Sequence, residues 1–578
     1  MIPAPVRGRF GALTQLLALG LITGCSGDLP STFGSGSCEG DFTAIGQIQG
    51  TDWRSPLQGE RVSVQGVITA INDHGLYLES LESDDDPRTS EALFIHEPKL
   101  PAHLREGQQL TLNGRVEELG KRRDTQTALR DISDLARCGE PQARPVTTVT
   151  LPLDAREREA LENMRVDFSG DLFVTDVYHL RRGDFTVAIG GMLPAPTEVA
   201  RPGKAARRQE RENRDAQQRV RLAPGDKTHF AMGSQWLPEV AVLGHDGYNA
   251  RLLLEEPVRI LPVAVPEIAA AAPDSLRIVA FNLENYFNGN GRGQGFPTPR
   301  GAETSAEFKQ QRAQVKGLMG ALQPGLLAVM ELENDGNEKH SAASDLRADL
   351  NAGTGADWAI AAPRNAKLGS DQIAVGLFYR TDLLKTVGAP QSPDAAAFDL
   401  LNRLPVAQLF EHRASGERFL VVVNHFKSKG SCPDQGSNVD KGDGQGCWNR
   451  ARLAAARALT DWLDGLRSEA EGRLLIVGDL NAYRMEDPVQ HLVSAGYVDL
   501  TATASDDFHY SHVYFGAGGT LDHAFASPRL ADQVRSASIL NVNAGQPRDL
   551  RMEPSWLGSS DHDPVLVDVR FIQSSTSD

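Results

Sequence analysis

An acidic and an amide side chain follow a run of four apolar residues at positions 474–477. Such a run is typical of a strand that is buried on both faces. Gly478 lets the backbone turn, and Asp479 and Asn481 then stand where the strand ends. Side chains two residues apart project to the same side of an extended segment, and ligands of open α/β sheets bind at this edge. Taken alone, the pair also fits an ordinary turn.

Polar side chains follow four other apolar runs in the second half of the chain. They are Asn282 with Glu284, then Glu331, then His425, and finally Asp522 with the later Asp561 and His562. Structure alone does not demand a charge at a strand end, so five such positions in one region favour a single shared site. Carboxylates, amides and imidazoles together can neutralise a phosphate, activate a water molecule and protonate a leaving oxygen. The pattern therefore predicts hydrolysis of a phosphoester.

The elements that must position these residues alternate along the chain. Strands are predicted at 277–281, 326–330, 373–379, 419–423 and 474–477. Thr304 and Glu307 form a capping box that predicts the start of a helix, and Pro324-Gly325 predicts its end. A second helix is predicted over 449–469. Alternating strands and helices, with several strands close enough to pair as hairpins, predict a mixed α/β sandwich.

Four short motifs resemble those of a known family. They are Phe281-Asn282, Ala-Val-Met-Glu at 328–331, Gly-Asp-Leu-Asn at 478–481 and Ser-Asp-His at 560–562. Together, in this order, they resemble the endonuclease/exonuclease/phosphatase family, which includes deoxyribonuclease I. The resemblance covers residues 275–572 and implies a two-sheet αββα sandwich. The strings 331–336 and 441–449 resemble a bacterial extracellular nuclease subgroup of that family.

The resemblance implies a role for each polar residue. The residues expected to bind a metal ion are Asn282, Glu284, Glu331 and Asp561. The expected catalytic residues are His425, Asp479, Asn481, Asp522 and His562. Asp479 would orient or activate the attacking water, and Asn481 would donate to a phosphate oxygen. His562, held by Asp522, would contact the phosphate and transfer a proton, and His425 would act as a general acid on the leaving oxygen.

Cationic side chains flank the expected site. Lys427, Lys429 and Arg300 would form a basic lip for phosphates, although an ordinary solvated loop explains them equally well. Mg²⁺ is the expected ion because it takes few carboxylates and keeps several waters, and Mn²⁺ is the alternative. His523 is interpreted as structural.

The cysteines suggest an exported protein. Cys25 belongs to the N-terminal targeting signal described below, and four other cysteines remain. These four allow three pairings, which the sequence does not distinguish. We favour Cys38–Cys138, which brackets one domain, and Cys432–Cys447, which closes one loop. That loop holds Asp434, Asp440 and Asp443 among glycines. A structural Ca²⁺ is one interpretation, but the spacing departs from the EF-hand pattern, and a surface loop pinned by a disulfide is favoured.

The N-terminus reads as a targeting signal. Arg7 and Arg9 precede an apolar stretch at 13–22 that is too short to cross a bilayer. Residues 21–25 resemble a bacterial lipobox, which implies that 1–24 is removed, that Cys25 is lipidated and that the protein reaches the outer membrane or cell surface. An ordinary signal peptide is the alternative. The Gly/Ser-rich segment 25–41 is predicted to be a flexible tether.

Small all-β domains are expected before the α/β region. Within 42–139, the segments 59–66 and 107–114 each combine a turn glycine, an alternating strand and a second glycine. Short bent strands of this kind suit a small barrel, and the stretch resembles the OB-fold segment found upstream of some bacterial secreted nucleases. OB-folds often bind oligonucleotides, but they also act as spacers, and no stacking aromatic stripe is evident here.

A second β-rich domain is predicted over 145–262, followed by a Pro/Ala linker at 263–274. It contains a polar, basic insertion at 201–227. A nucleic-acid-binding arm is one interpretation. A solvated loop is favoured, because blocks of like charge repel and stay open.

The net charge of −17 argues against a general electrostatic sheath for nucleic acid, but it leaves room for a local basic cleft. The combined prediction is an exported, metal-dependent phosphodiesterase that acts on DNA with little sequence specificity. Its partners would be DNA as substrate and a membrane through the anchor at Cys25, and no protein partner is indicated. The alternatives are the same fold acting on small or lipid phosphoesters, and a surface binding protein without catalysis.

Overall fold

The computed structural model describes residues 36–121, 124–237, 240–245, 250–362, 367–398, 402–502, 508–547 and 556–571. The expected signal peptide, Cys25 and most of the tether lie outside the described residues. Helices and strands are numbered in chain order. No helix within the described ranges is long and apolar enough to cross a membrane.

A closed barrel forms the first domain. Its elements are α1 (Ile45–Gln49), β1 (Arg61–Asn72), β2 (Gly75–Glu79), β3 (Ala92–Ile95), β4 (Gln109–Lys121) and β5 (Asp124–Cys138). The strands close in the order β1-β2-β3-β5-β4. Inward-facing residues such as Val64, Leu112 and Leu129 fill the interior, as alternation along each strand requires.

A long sheet forms the second domain. Its elements are β6 (Thr147–Thr150), α2 (Ala155–Ala160), β7 (Arg165–Ser169), β8 (Leu172–Asp176), β9 (Asp184–Ile189), β10 (Leu193–Pro194), α3 (Pro196–Val199), α4 (Lys204–Ala216), β11 (Gln218–Arg221), β12 (Gln235–Trp236), β13 (Ala241–His245), β14 (Ala250–Leu254) and β15 (Ile260–Leu261). The sheet order is β15-β12-β8-β9-β11-β14-β13-β7-β6. Its core gathers around the fully buried Trp236 and the ring of Phe185.

The third domain is a mixed α/β region. Its elements are β16 (Ser275–Tyr286), α5 (Ser305–Leu322), β17 (Leu326–Glu333), α6 (Ala342–Thr354), β18 (Trp358–Ile360), β19 (Ile373–Arg380), β20 (Leu384–Gln391), β21 (Val406–His412), β22 (Arg418–His425), α7 (Asn449–Leu466), β23 (Leu474–Asp479), α8 (Asp487–Ser494), β24 (Val498–Asp499), β25 (His512–Tyr514), β26 (Ala517–Gly519), β27 (Asp522–Ala526), α9 (Pro528–Ala531), β28 (Val534–Ile539) and β29 (Val565–Arg570). The side chain of Thr304 caps α5 by accepting from the backbone N–H of Glu307. The predicted capping box is only half formed, because the Glu307 side chain accepts the N–H of Glu303 and not that of Thr304.

Two sheets pack face to face in this domain. One has the order β18-β19-β17-β16-β29-β28, and the other β20-β21-β22-β23-β27-β24. Residues from both sheets, such as Ile278 and Val421, share the central core. α5 and α6 cover the outer face of the first sheet, and α7 and α8 cover that of the second. The predicted mixed α/β sandwich is therefore confirmed.

The sequence favoured an open loop for the basic insertion at 201–227, but the structure differs. Most of it forms α4 and β11, and the start of α4 is tied to the third domain. The N–H of Gly203 donates to the carbonyl of Asp443 at 2.7 Å, and Arg207 Nη1 donates to the carbonyl of Gly442 at 3.0 Å. The preference for a loop was wrong because contacts more than 200 residues away fix the helix, and charge repulsion within the segment does not reveal them.

Both favoured disulfides are present, Cys38–Cys138 and Cys432–Cys447. The carboxylates of the second disulfide's loop are used locally. Asp440 accepts from the N–H of Gly442 at 2.7 Å, and Asp443 accepts from the N–H of Gln445 at 3.1 Å. Within the described ranges, no cluster of three metal-ligating side chains lies in this loop. The structure therefore gives the Ca²⁺ interpretation no support.

Candidate active site

Three of the expected catalytic residues lie side by side on neighbouring strands. β22 and β23 are parallel and place His425 opposite Asp479, and β23 and β27 are antiparallel and place Asp479 opposite Asp522. Gly478 makes the close approach of β22 feasible. Its φ is +131°, and a Cβ there would lie 2.0 Å from the carbonyl oxygen of Asn424. Strand register thus assembles the row.

Asp479 is the hub of this row. Its Oδ1 accepts the backbone N–H of Asn481 at 2.8 Å, and its Oδ2 accepts Asn481 Nδ2 at 3.1 Å. Asn282, from the other sheet, donates to the same Oδ2 at 3.2 Å. Burial, with the neighbouring charge of Asp522 as the next cause, raises the pKa of Asp479. The carboxylate is therefore held in place, and its raised pKa suits it to accept a proton.

Asn481 supports Asp479 in a way the sequence did not predict. Its Nδ2 also donates to the carbonyl of Phe426 at 3.1 Å. Since a side-chain amide has only two N–H groups, both are used within the protein. The structure thus favours a role in orienting Asp479 over the expected donation to a phosphate.

His562 and Asp522 form a short buried pair. His562 Nδ1 donates to Asp522 Oδ2 at 2.6 Å, which leaves Nε2 as the ring nitrogen that can face a substrate. Burial alone would lower the pKa of His562, but the nearby carboxylates of Asp522 and Asp561 outweigh it and raise the pKa well above its usual value. The imidazole is thus held as an imidazolium in the predicted orientation.

His425 has the opposite electrostatic environment. It is 1% exposed, and burial together with the charge of Arg403 lowers its pKa well below its usual range. Arg403 Nη1 lies 3.3 Å from His425 Nε2. Asp479 Oδ2 lies 3.4 Å from the same nitrogen. A neutral imidazole with this pKa is a poor general acid, and the structure favours a positioning role next to Asp479.

The carboxylates expected to bind a metal ion lie at the same edge. Glu331 Oε2 accepts the N–H of Asn285 at 3.0 Å, and Oε1 lies 3.9 Å from His425 Nε2. Burial raises the pKa of Glu331, and the charge of Asp561 raises it further. Two partly buried carboxylates that repel each other, with hard oxygen donors, are what a divalent cation stabilises. Glu331 and Asp561 therefore fit a divalent ion.

The remaining expected ligands are less closely grouped. Among the described residues, the sets of three side chains whose ligand atoms lie within 4.8 Å are His512/Asp561/His562 and Asp479/Asp522/His562. Neither set includes Glu331 or Glu284. Glu284 lies at the end of β16, where its N–H donates to Asn282 Oδ1 at 3.1 Å. The predicted four-residue metal site is therefore not a compact cluster in this structure.

Several site residues adopt a left-handed backbone. The φ values of Glu284, Asn285, Glu331 and Asn481 are +53°, +53°, +61° and +48°. Such conformations are uncommon for residues other than glycine and cost about 1–3 kcal/mol each. Their concentration at the ends of three strands, β16, β17 and β23, supports the assignment of a functional site there.

The predicted basic lip is only partly exposed. Lys427 Nζ donates to the carbonyl of Gly430 at 3.2 Å, and the Lys429 ammonium contacts the buried carboxylate of Glu486. Burial lowers the pKa of Lys429 to about 8. Arg300 retains 39% side-chain exposure at the rim. The structure therefore places Lys429 in the support of its loop, and Arg300 where a phosphate can reach it.

Sequence reasoning missed residues that hold the site together. Asp563 accepts the N–H groups of Val542 and Asn543 at 2.7 and 2.6 Å, and Asn543 Nδ2 donates to the carbonyl of His562 at 2.8 Å. Asp563 follows the Ser-Asp-His motif directly, so its position was a usable signal. Arg403 had none, because it lies in an irregular segment far from any motif.

His512 was also missed. Its ring centroid lies 4.8 Å from that of His562, and it belongs to the cluster with Asp561. Ser511, the residue before it, accepts the N–H groups of Leu521 and Asp522 at 3.0 and 2.9 Å. By contrast, His523 Nε2 lies 2.9 Å from the carbonyl of Ala482, which supports its structural interpretation.

Comparison with known proteins gives several matches. A human protein, Nocturnin, is 26% identical over 210 residues, which are 34% of this chain and 44% of the relative's length. The solved catalytic domain of human Nocturnin with bound sulfate has 19% identity and a TM-score of 0.36, covering 52% of this chain and 97% of that one. A mannosyl-6-phosphatase from Bacteroides thetaiotaomicron has 18% identity and a TM-score of 0.36, covering 51% and 100%.

The family comparison is more direct. The model of the Endonuclease/Exonuclease/phosphatase family matches residues 280–562, which run from the middle of β16 to His562. This span includes the side chains of all five strand-end clusters. Enzymes of the family are typically phosphodiester or phosphomonoester hydrolases that use divalent metal ions. The third domain of this chain is therefore a phosphoesterase-like domain of the endonuclease/exonuclease/phosphatase family.

Proposed function

We propose that this domain is a Mg²⁺-dependent phosphodiesterase that hydrolyses DNA with little sequence specificity. The observation that carries the proposal is that a candidate proton acceptor and a candidate proton donor lie at the same edge of the sheet. Asp479, the acceptor, is oriented by hydrogen bonds from Asn282 and Asn481. His562, the donor, is oriented by Asp522, whose Oδ2 lies 2.6 Å from His562 Nδ1. Pairs of titratable groups with such different environments are typical of acid–base catalysis.

The residues would divide the reaction as follows. Asp479 would take the proton of the attacking water, and the oxygen would form the new bond to phosphorus. His562 would hydrogen-bond the phosphate through Nε2 and supply a proton as the bond to the leaving oxygen breaks. A divalent ion bound near Glu331 and Asp561 would neutralise the phosphate and stabilise the charge that develops there.

DNA as the substrate rests on the subgroup strings at 331–336 and 441–449. The second string now has a structural role, since its backbone carbonyls receive the start of α4. We propose that the barrel, whose strand order suits an OB-like fold, and the second domain together guide a polymer toward the site. A small phosphoester would not need such guidance.

A substrate panel tests the proposal. Purified protein without residues 1–25 is incubated in Mg²⁺ with DNA, RNA, sphingomyelin and a sugar phosphate, and phosphate or strand cleavage is followed with and without EDTA. We expect the highest kcat/KM for DNA, abolished by EDTA. Cleavage of the sugar phosphate or lipid alone would move the assignment to small or lipid phosphoesters. No turnover of any substrate by a folded protein, with DNA binding retained, would favour the non-catalytic binder.

We also propose export and lipid attachment at Cys25. The support is the basic, apolar and Cys-terminated sequence at 7–25 together with two disulfides in the mature chain. Labelling with a fatty-acid analogue in a Gram-negative host should mark the wild type and fail to mark Cys25→Ser. Equal labelling of both proteins would contradict the assignment.

A further inference from the structure

A cavity of about 480 Å³ lies between the second domain and the phosphoesterase-like domain. Tyr178 and Arg219 line it from the second domain, and Tyr514 and Phe515 line it from the β25–β26 hairpin. At one end its lining includes Asp561, the neighbour of His562. The volume is within the range of small-ligand pockets, which is about 300–1,000 Å³. The cavity therefore shares Asp561 with the candidate catalytic centre, whereas most of its lining comes from outside that centre.

The two domains hold the walls of this cavity in register. β10 of the second domain pairs with β26 of the hairpin, Leu193 opposite Ala517, so one small sheet contains strands from both domains. Gln217 Nε2 donates to the carbonyl of Phe515 at 3.0 Å, next to the tip of the hairpin. Across the cavity, the N–H of Met232 donates to the carbonyl of Gly545 at 2.8 Å. The cavity is thus largely formed before a ligand arrives.

Three aromatic side chains of the lining remain open to solvent. Tyr178, Tyr514 and Phe515 are 69%, 63% and 73% exposed, although large aromatic residues are usually well buried. The rings of Tyr514 and Phe515 lie 4.4 Å apart between centroids. Exposed aromatic faces beside a phosphate-processing centre are the features that stack nucleobases.

The lining offers a carboxylate that can accept hydrogen bonds from a base. Asp176, Asp184 and Asp561 line the cavity together with Arg251. Asp184 is paired with Arg221 and Arg251, and Asp561 is an expected metal ligand. Asp176 is therefore the carboxylate that can accept the N–H groups of a neutral base.

We propose that this cavity binds an unpaired nucleobase of the strand whose phosphate occupies the active site. The rings of Tyr514 and Phe515 are inclined at 64° to each other, so the base stacks on the more exposed Phe515 with Tyr514 at its edge, and its polar edge faces Asp176. This inference rests on the proposed function, since it needs a nucleic-acid substrate. It adds a base-binding subsite at the boundary between the second domain and the phosphoesterase-like domain, and it predicts that single-stranded substrate is preferred.

The experiment measures how much the enzyme gains from a base at one position. An intact fluorescent single-stranded oligonucleotide is compared with a series of oligonucleotides that each carry one abasic residue at a different position. Wild type should cleave a phosphate more slowly when the abasic residue flanks it than when the flanking base is present. In the double variant Tyr514→Ala/Phe515→Ala, this preference should fall roughly 10-fold, as loss of base–aromatic stacking predicts.

Two controls make the result specific. The conservative variant Phe515→Tyr should retain the preference, and Val493→Ala, an exposed apolar residue on α8, should leave it at the wild-type value. Anisotropy of the same oligonucleotides bound to His562→Ala gives the preference as a ratio of affinities, independent of turnover. An unchanged ratio in the Tyr514/Phe515 variant would overturn the subsite. If wild type cleaves no oligonucleotide but the protein still binds the intact strand more tightly than the abasic strand, the result would count against the proposed reaction and not against the subsite.

Discussion

At the scale of single residues, the His562–Asp522 pair sets the protonation of the site. Asp522 is 0% exposed, and its Oδ2 accepts a hydrogen bond from His562 Nδ1 at 2.6 Å. The charge of Asp522 stabilises the imidazolium and fixes which ring nitrogen faces outward. Burial and the charge of Arg403 lower the pKa of His425 instead. Two histidines that look equivalent in the sequence therefore have pKa values shifted in opposite directions.

Replacement of Asp522 by Asn should expose this dependence. Without the carboxylate, the pKa of His562 falls, because the largest raising charge is removed while burial still lowers the pKa and only the charges of Asp561 and Asp479 still raise it. We expect kcat/KM to fall by about 10²–10⁴ and the alkaline limb of its pH profile to move to lower pH. Steady-state kinetics across pH 5–10 would check both. A loss of rate with an unmoved pH profile would show that Asp522 acts only structurally.

At the scale of elements, the strand ends were predictable and their supports were not. Apolar runs and the polar residues after them are local signals, so the edge that carries Asp479 and His425 could be read from the sequence. Arg403, His512 and helix α4 depend on contacts distant in the chain, which no local pattern records. The separations between the expected metal ligands were not predictable either, because a motif gives residue types but not distances.

A charged network around Glu486 holds the loop that follows β22 against the start of α8. Glu486 is 0% exposed, contacts Lys429, and lies 3.8 Å from the buried guanidinium of Arg452. Its Oε1 also accepts the hydroxyl of Thr197 from α3 at 2.7 Å. One carboxylate therefore joins the second domain to the phosphoesterase-like domain.

Truncation of this carboxylate should be costly. Glu486→Ala leaves two buried cations without their partner, which typically costs about 3–5 kcal/mol. We expect the free energy of unfolding of this region to fall by that amount in urea titrations, while the exposed control Glu469→Ala changes it by less than about 0.5 kcal/mol. Equal stability of Glu486→Ala and wild type would show that the network contributes nothing.

At the scale of the whole molecule, buried acids lie where the barrel meets the second domain. Glu79 Oε2 accepts the N–H of Arg165 at 3.4 Å, and burial raises the pKa of Glu79 from 4.5 to about 8. Since the folded protein binds this proton more tightly than the unfolded chain, the stability contributed by the protonated form is lost as the pH rises from about 4.5 to 8. The junction should therefore weaken toward alkaline pH.

A neutral replacement tests this sign. Glu79→Gln should raise the melting temperature at pH 8 relative to wild type, and the difference should shrink toward pH 5. At pH 8 the free energy of unfolding should rise by at least about 1.4 kcal/mol, which corresponds to a shift of one pKa unit. The exposed Glu82→Gln serves as the matched control. A gain that is the same at both pH values would contradict the raised pKa of Glu79.

The most direct test of the central claim is relaxation of supercoiled plasmid in Mg²⁺ by wild type and by Asp479→Asn. Asn keeps the size of the side chain but cannot accept the proton of the attacking water. We predict nicking and then smearing by wild type, its loss with EDTA, and a rate at least 10³-fold lower for a folded Asp479→Asn. Cleavage by Asp479→Asn within threefold of wild type would contradict the assignment of this strand edge as the catalytic centre.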